Sequence, residues 1–159
     1  MLFVLLNLWI YGVTGLTRDE ILNEWNQDGI IDPAHLDIDA LNIPRLHAKY
    51  LRYLSDEKML LRAYESELKM LSLTKFEFLL HGDTVESKER GWELPPQGRL
   101  MRTEIDRYLA ADGDLNKMTY RLENQKQKVY ILEDILKVIH GRNYLITNAI
   151  KFQIFQGGG

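Results

Sequence analysis

Two long heptad tracts, separated by a short basic stretch containing Pro and Gly, set the terms on which this chain can fold. The first runs through Tyr50, Leu54, Glu57, Leu61, Tyr64, Leu68, Leu71, Lys75 and Phe78. The second runs through Tyr108, Ala111, Leu115, Met118, Leu122, Gln125, Val129, Leu132, Leu136 and Ile139. Steps of three and four place each set on one helical face, the seam along which helices pack. At 1.5 Å per residue the two helices would extend roughly 43 and 48 Å. Near-equal lengths predict an all-α fold built on a long, coiled-coil-like helical hairpin. Such a fold offers surfaces rather than a deep pocket, which argues for binding and assembly and against an enzyme.

A chain of 159 residues fits one domain. Two or three long helices make a thin core, so oligomerisation is expected. The formal net charge of -3 hides a division. Between Thr17 and Ala40 lie seven acids (Asp19, Glu20, Glu24, Asp28, Asp32, Asp37 and Asp39) against Arg18 alone. From Leu41 onward 16 acids face 19 bases. The acidic entry keeps the protein soluble or lies over a basic surface of its own or a neighbouring chain. Cysteine is absent, which excludes disulfides, thiolate metal sites and cysteine nucleophiles.

Residues 1–15 are almost continuously apolar, with no Lys or Arg before Arg18. They lack the positive start of a secretory signal and are too short to span a bilayer. They are read as an extension outside the main domain, one explanation being a mis-assigned start. Residues 16–157 form the helical domain, and 158–159 a flexible tail. No membrane association is expected.

Local signals fill in the rest. Thr17, with Asp19 and Glu20 following, opens a short N-terminal helix that Gly29 ends. Asp32-Pro33 reads as a turn leading into a short helix through Leu36. Pro44 is expected near the first position of the first long helix, where its missing N–H costs nothing. That helix should end at Leu80 or His81, before Gly82. Residues 83–102 lack periodicity and are read as loop. Thr103 with Asp106 should start the second long helix, Gly113 weakening its early turns. Gly141 is expected to break it, with Asn143 capping a separate C-terminal oligomerisation helix. There Tyr144, Leu145, Ile146, Ala149, Ile150, Phe152 and Phe155 make an apolar face too small to bury itself.

Asp112, Asp114, Asn116 and Glu123 match calcium-loop spacing, but Lys117 replaces the required Gly and the heptads run straight through. The histidines at 35, 47, 81 and 140 are too scattered for a zinc helix. No phosphate-cradling Gly loop is present, so neither metal nor cofactor is expected. Acid–base catalysis needs a cleft that sets one carboxyl apart from another, and nothing here predicts one.

The informative stretch is basic and aromatic. It holds Lys69, Lys75, Lys88, Arg90, Arg99 and Arg102, interleaved with Phe76 and Trp92. Cations that track phosphates, beside rings on which bases stack, are the combination that holds single-stranded nucleic acid. The competing reading places Phe76 and Phe78 in the core, with Glu77, Glu86, Glu89 and Glu93 diluting the charge.

In order and spacing, several segments resemble the UvsY recombination mediators of T-even-like phages, cyanophage-type members in particular. They are Leu16-Thr17-Arg18-Asp19-Glu20-Ile21, then Ile43-Pro44-Arg45-Leu46-His47-Ala48-Lys49-Tyr50, and Lys75-Phe76-Glu77-Phe78 leading to Gly82. Tyr108-Leu109-Ala110-Ala111-Asp112 and Asn148-Ala149-Ile150-Lys151-Phe152 follow. The resemblance covers about Leu16 to Gly157. It implies a protein that binds single-stranded DNA, forms a ring-like homo-oligomer, and helps a RecA-like phage recombinase displace the phage single-strand-binding protein. It places the work in the cytoplasm of the infected bacterium and makes Lys75 the best match to the family's basic DNA-contacting residue. The apolar Leu79-Leu80 departs from the polar character expected there. A structural coiled-coil scaffold without DNA affinity is the alternative.

Overall fold

The computed structural model describes residues 15–157, so the expectations for the apolar extension up to Thr14 and for the 158–159 tail lie outside the described residues. Among these the fold is all-α, with five helices: α1 (Arg18–Asp28), α2 (Leu36–His81), α3 (Val85–Arg90), α4 (Arg102–Ala110) and α5 (Gly113–Gly157). They build two compact units. One takes the chain up to Leu60 and again from Gln125; the other is Leu61–Asn124.

In the first unit α1 is capped as its sequence requires. Thr17 Oγ1 accepts from the Glu20 N–H while the Glu20 carboxylate accepts from the Thr17 N–H, a reciprocal box satisfying two orphan donors. α1 docks through Ile21, which is fully buried, and through a charged network. Lys49 Nζ lies 2.7 Å from both Glu24 and Asp28, and the hydroxyls of Tyr50 and Tyr53 donate to Asp28 and Glu24. Trp25 meets the Tyr50 ring edge-on at 5.5 Å.

α2 begins earlier than its sequence suggests. The Asp32-Pro33 turn is present, but the helix starts at Leu36 and runs through Pro44, which therefore gives up the bond to the Ala40 carbonyl. The start is secured from upstream: the Asp32 N–H donates to Asp39 Oδ2, and the Asp32 carboxylate binds the Ala34 N–H and the His35 ring.

The helices α2 and α5 run antiparallel in this unit, His47 meeting His140 at 5.0 Å and Glu57 meeting Gln125. Leu46, Tyr50, Leu54 and Leu60 are buried, as are Val129, Leu132, Leu136 and Ile139. Gly141 does not break α5, which runs on to Gly157, so among the described residues there is no separate C-terminal helix. The seam continues through Arg142 and Ile146, both buried. Arg142 donates to the carbonyls of Asp28 and Ile30 and lies 3.7 Å from Asp39, which accounts for a cation at an apolar position. No helix among the described residues is long and apolar enough to cross a membrane.

Candidate nucleic-acid interface

The second unit holds the stretch that the sequence singles out. Gly82 ends α2 at φ +95°, a left-handed conformation that costs an L side chain dearly, and its N–H closes on the Phe78 carbonyl. The next residues are not plain loop: Thr84 and Ser87 cap each other reciprocally and start α3, which Gly91 terminates in the left-handed region. The Leu100 N–H then donates to the Leu79 carbonyl. Phe78, Leu79, Leu100 and Ile105 form the buried cluster, with Phe76, Leu80, Trp92, Leu94, Tyr108 and Leu109 packed against it. The apolar Leu79-Leu80 pair thus has a packing role.

α4 starts at Arg102, one residue before the expected Thr103 cap, with Met101 offering no side-chain cap. It ends at Ala110, where the seam was expected to continue. Asp112 explains the interruption: its Oδ1 accepts from the N–H groups of Asp114 and Leu115, capping α5. Gly113 is therefore the first residue of a helix rather than a weak interior position.

Lys75 lies at the centre of this arrangement. It is buried, with Nζ 2.7 Å from Asp112 Oδ2, 2.9 Å from Asp114 Oδ2 and 4.2 Å from the Trp92 ring centroid. Trp92 Nε1 donates to Asp114 at 3.1 Å, and its ring tilts against Phe78 at 5.7 Å. The hydrogen bond from Lys75 lowers the Asp114 pKa, the ammonium's charge and Trp92 adding to it against a partial desolvation. The expectation for Lys75 is a DNA contact; in this fold two carboxylates and an indole surround its ammonium. Trp92, half-buried like Phe76, is held by protein contacts to Asp114, Lys75 and Phe78.

The other expected cations divide into groups. Arg90 pairs with Glu86 at 2.8 Å and stands 5.5 Å from the Trp92 ring, joining the Lys75 group. Lys69 and Phe76 line an open groove of about 620 Å³ with Leu68, Ser72, Leu73, Asp106 and Leu109. Arg99 runs beside Gly82, where an added methyl group would lie 3.5 Å from its Cδ. Lys88 is exposed on α3 and Arg102 opens α4. Lys69, Lys88, Arg99 and Arg102 are exposed and make no ion pair among the described residues.

Of the residues expected to assemble copies, all lying in the first unit, Tyr144, Leu145, Phe152 and Phe155 are well exposed. Ile150 is also exposed and Ala149 half-buried, but Ile146 turns into its own core. Sequence reasoning missed Ile154, which is 68% exposed on the same run.

These features define a class: an all-helical protein with exposed cations and exposed apolar side chains on its helices. The family model for the recombination, repair and ssDNA binding protein UvsY matches residues 24–159, and the chain belongs to the UvsY family. Crystal structures of the bacteriophage T4 recombination mediator protein UvsY share the fold. The lattice type II form has a TM-score of 0.72 at 22% identity, covering 89% of this chain and 98% of that one. The lattice type IV form gives 0.71 at 19% identity, covering 89% and 99%. The lattice type I form gives 0.70 at 23% identity, covering 85% and 97%. Comparison with curated protein sequences returned no match.

Proposed function

We propose that this protein is a recombination mediator that binds single-stranded DNA and promotes loading of a RecA-like phage recombinase in place of the single-strand-binding protein. Its working compartment is the cytoplasm of the infected bacterium. Family membership over residues 24–159 carries the reading. The open cations Lys69, Lys88, Arg99 and Arg102 supply its chemistry, each a site for one backbone phosphate. Phe76 is the ring on which a base stacks, while Lys75, Arg90 and Trp92 hold the surface from beneath.

The mechanism is physical. Copies assemble into a ring through the exposed apolar run Tyr144, Leu145, Ile150, Phe152 and Phe155, with Ala149 beside it. Each subunit then adds a weak phosphate site, and every contact after the first is intramolecular. A strand held at many weak points stays bound yet yields locally, so a recombinase can take it over from the single-strand-binding protein.

Native mass spectrometry with and without an oligothymidine tests assembly and binding together. A defined oligomer that takes up DNA is expected; an oligomer that leaves the DNA free would make the protein a scaffold. Adding recombinase to strands precoated with single-strand-binding protein, and imaging filaments, tests the loading step. Equal filament formation without this protein would overturn it.

A further inference from the structure

In the second unit, α5 carries a second basic and aromatic strip that the loop-side cations do not account for. Leu115, Met118 and Leu122 of this helix are buried in the seam. Lys117, Tyr120, Arg121 and Asn124 are exposed. Positions three, four and seven residues on from Lys117 share its face, so these four form one continuous stripe turned away from the core.

The composition of the stripe is selective. Between Leu115 and Leu122 the chain has two cations and no acid. Neither Lys117 nor Arg121 makes a close ion pair among the described residues; Asp114, one turn before Lys117 and within reach of its charge, is hydrogen-bonded by Lys75 and Trp92, and Glu123 follows Leu122 at the far end of the stripe. Tyr120 is 70% exposed and makes no ring contact among the described residues. Cations one helical turn apart have Cβ atoms roughly 5–6 Å apart, a spacing that successive phosphates of an extended strand can meet. A tyrosine between them offers its face to a base, and Asn124 adds an amide donor and acceptor on the same line.

We infer that Lys117, Tyr120, Arg121 and Asn124 form a second contact strip for single-stranded nucleic acid, engaging two phosphates and one stacked base. This strip rests on the reading that the protein binds single-stranded DNA and extends the contact beyond the α3 region. Positive charge with an exposed ring fits a polyanion carrying aromatic bases; a second copy could match the charge through its acidic Thr17–Ala40 segment but brings no bases to the ring, so the oligomer mass is read beside binding.

The test is a salt titration of oligothymidine binding by fluorescence anisotropy on the full chain. For Lys117→Gln with Arg121→Gln, the slope of log K against log salt should fall in magnitude by about 1.4, close to 0.7 for each lost phosphate. The matched control, Arg52→Gln with Arg62→Gln on α2, removes the same charge and should leave the slope in place. Tyr120→Ala should weaken binding at least fivefold and Tyr120→Phe should restore it. Oligomer mass should stay the same in every variant, and helicity by circular dichroism confirms that each has folded. Equal slopes in the test and control pairs would overturn the strip, as would loss of assembly in Tyr120→Ala, which would make the face a contact between copies. Failure of the unaltered protein to bind would instead count against the DNA reading itself.

Discussion

Gln125 reaches across the seam of the first unit and donates from Nε2 both to the backbone carbonyl of Glu57, at 2.9 Å, and to its carboxylate. The same carboxylate accepts from Lys128 at 2.6 Å and from the Leu16 N–H at 3.0 Å. Glu57 is 1% exposed, so these partners replace the water that a buried charge would otherwise need.

Removing Glu57 should therefore be costly. Glu57→Ala takes the counter-charge from the Lys128 ammonium and the carboxylate acceptor from Gln125 and the Leu16 N–H, and the loss expected for a broken buried pair is about 3–5 kcal/mol. Gln125→Ala removes one donor and should cost about 1–3 kcal/mol. Urea denaturation measures both; Gln125→Ala proving the more damaging would contradict the network.

Lys75 should behave as a structural cation. Lys75→Ala is expected to destabilise by about 1–3 kcal/mol, because Asp114 can recover solvent more easily than Glu57. Its salt slope for single-strand binding should match the unaltered protein. The combined change Lys88→Ala, Arg99→Ala and Arg102→Ala should flatten that slope by about 2 while leaving the urea midpoint close to its original value. The reverse pattern would move the phosphate contact back to Lys75.

Acid should loosen the second unit at a readable point. The pKa of Asp114 lies below its ordinary value of 3.8, chiefly through the Lys75 hydrogen bond. A group depressed on folding contributes stability above its unfolded pKa and loses it as pH falls through the folded value. The Trp92 indole N–H resonance should then titrate with a midpoint below 3.8, and Asp114→Asn should abolish that step. A midpoint at or above 3.8 would refute the pairing in solution.

Two glycines should respond in opposite directions. Gly82 adopts φ +95°, so Gly82→Ala forces an L residue into a left-handed conformation at roughly 1–2 kcal/mol. Gly141 lies inside α5 with open space where a Cβ would go. Gly141→Ala should raise stability by roughly 0.5–1 kcal/mol, by reducing the freedom of the unfolded chain. Thermal unfolding monitored at the helical signal measures both.

The heptads carried most of the fold in plain view. From Leu115 to Ile139 every seam position of α5 is buried, Gln125 included. Legibility failed where a polar side chain occupied the seam for a reason several residues or a whole helix away. Arg142, next to the expected break at Gly141, gives no sign in the sequence that the carbonyls of Asp28 and Ile30 receive it. Pro44 and Gly141 read as boundaries because local propensity is a weak prior beside tertiary packing. Asp112 concealed the break between α4 and α5, since a cap inside a heptad tract looks like one more exposed acid. In the candidate site the residue types were legible, but their satisfaction was not. Nothing in the sequence shows that two aspartates and an indole already hold Lys75, while Lys88 and Arg102 are left open.

The Arg142 tie also limits how the proposed assembly can be dissected. Its guanidinium closes over the carbonyls between α1 and α2, and Gln153 further along α5 reaches the Pro33 carbonyl. A truncation meant to yield single subunits would therefore strip the hydrogen-bond donors from the connection after α1. Any loss of activity would then confound separation of subunits with a damaged fold. Point changes at Phe152 and Phe155, which are exposed on that helix, separate the two effects.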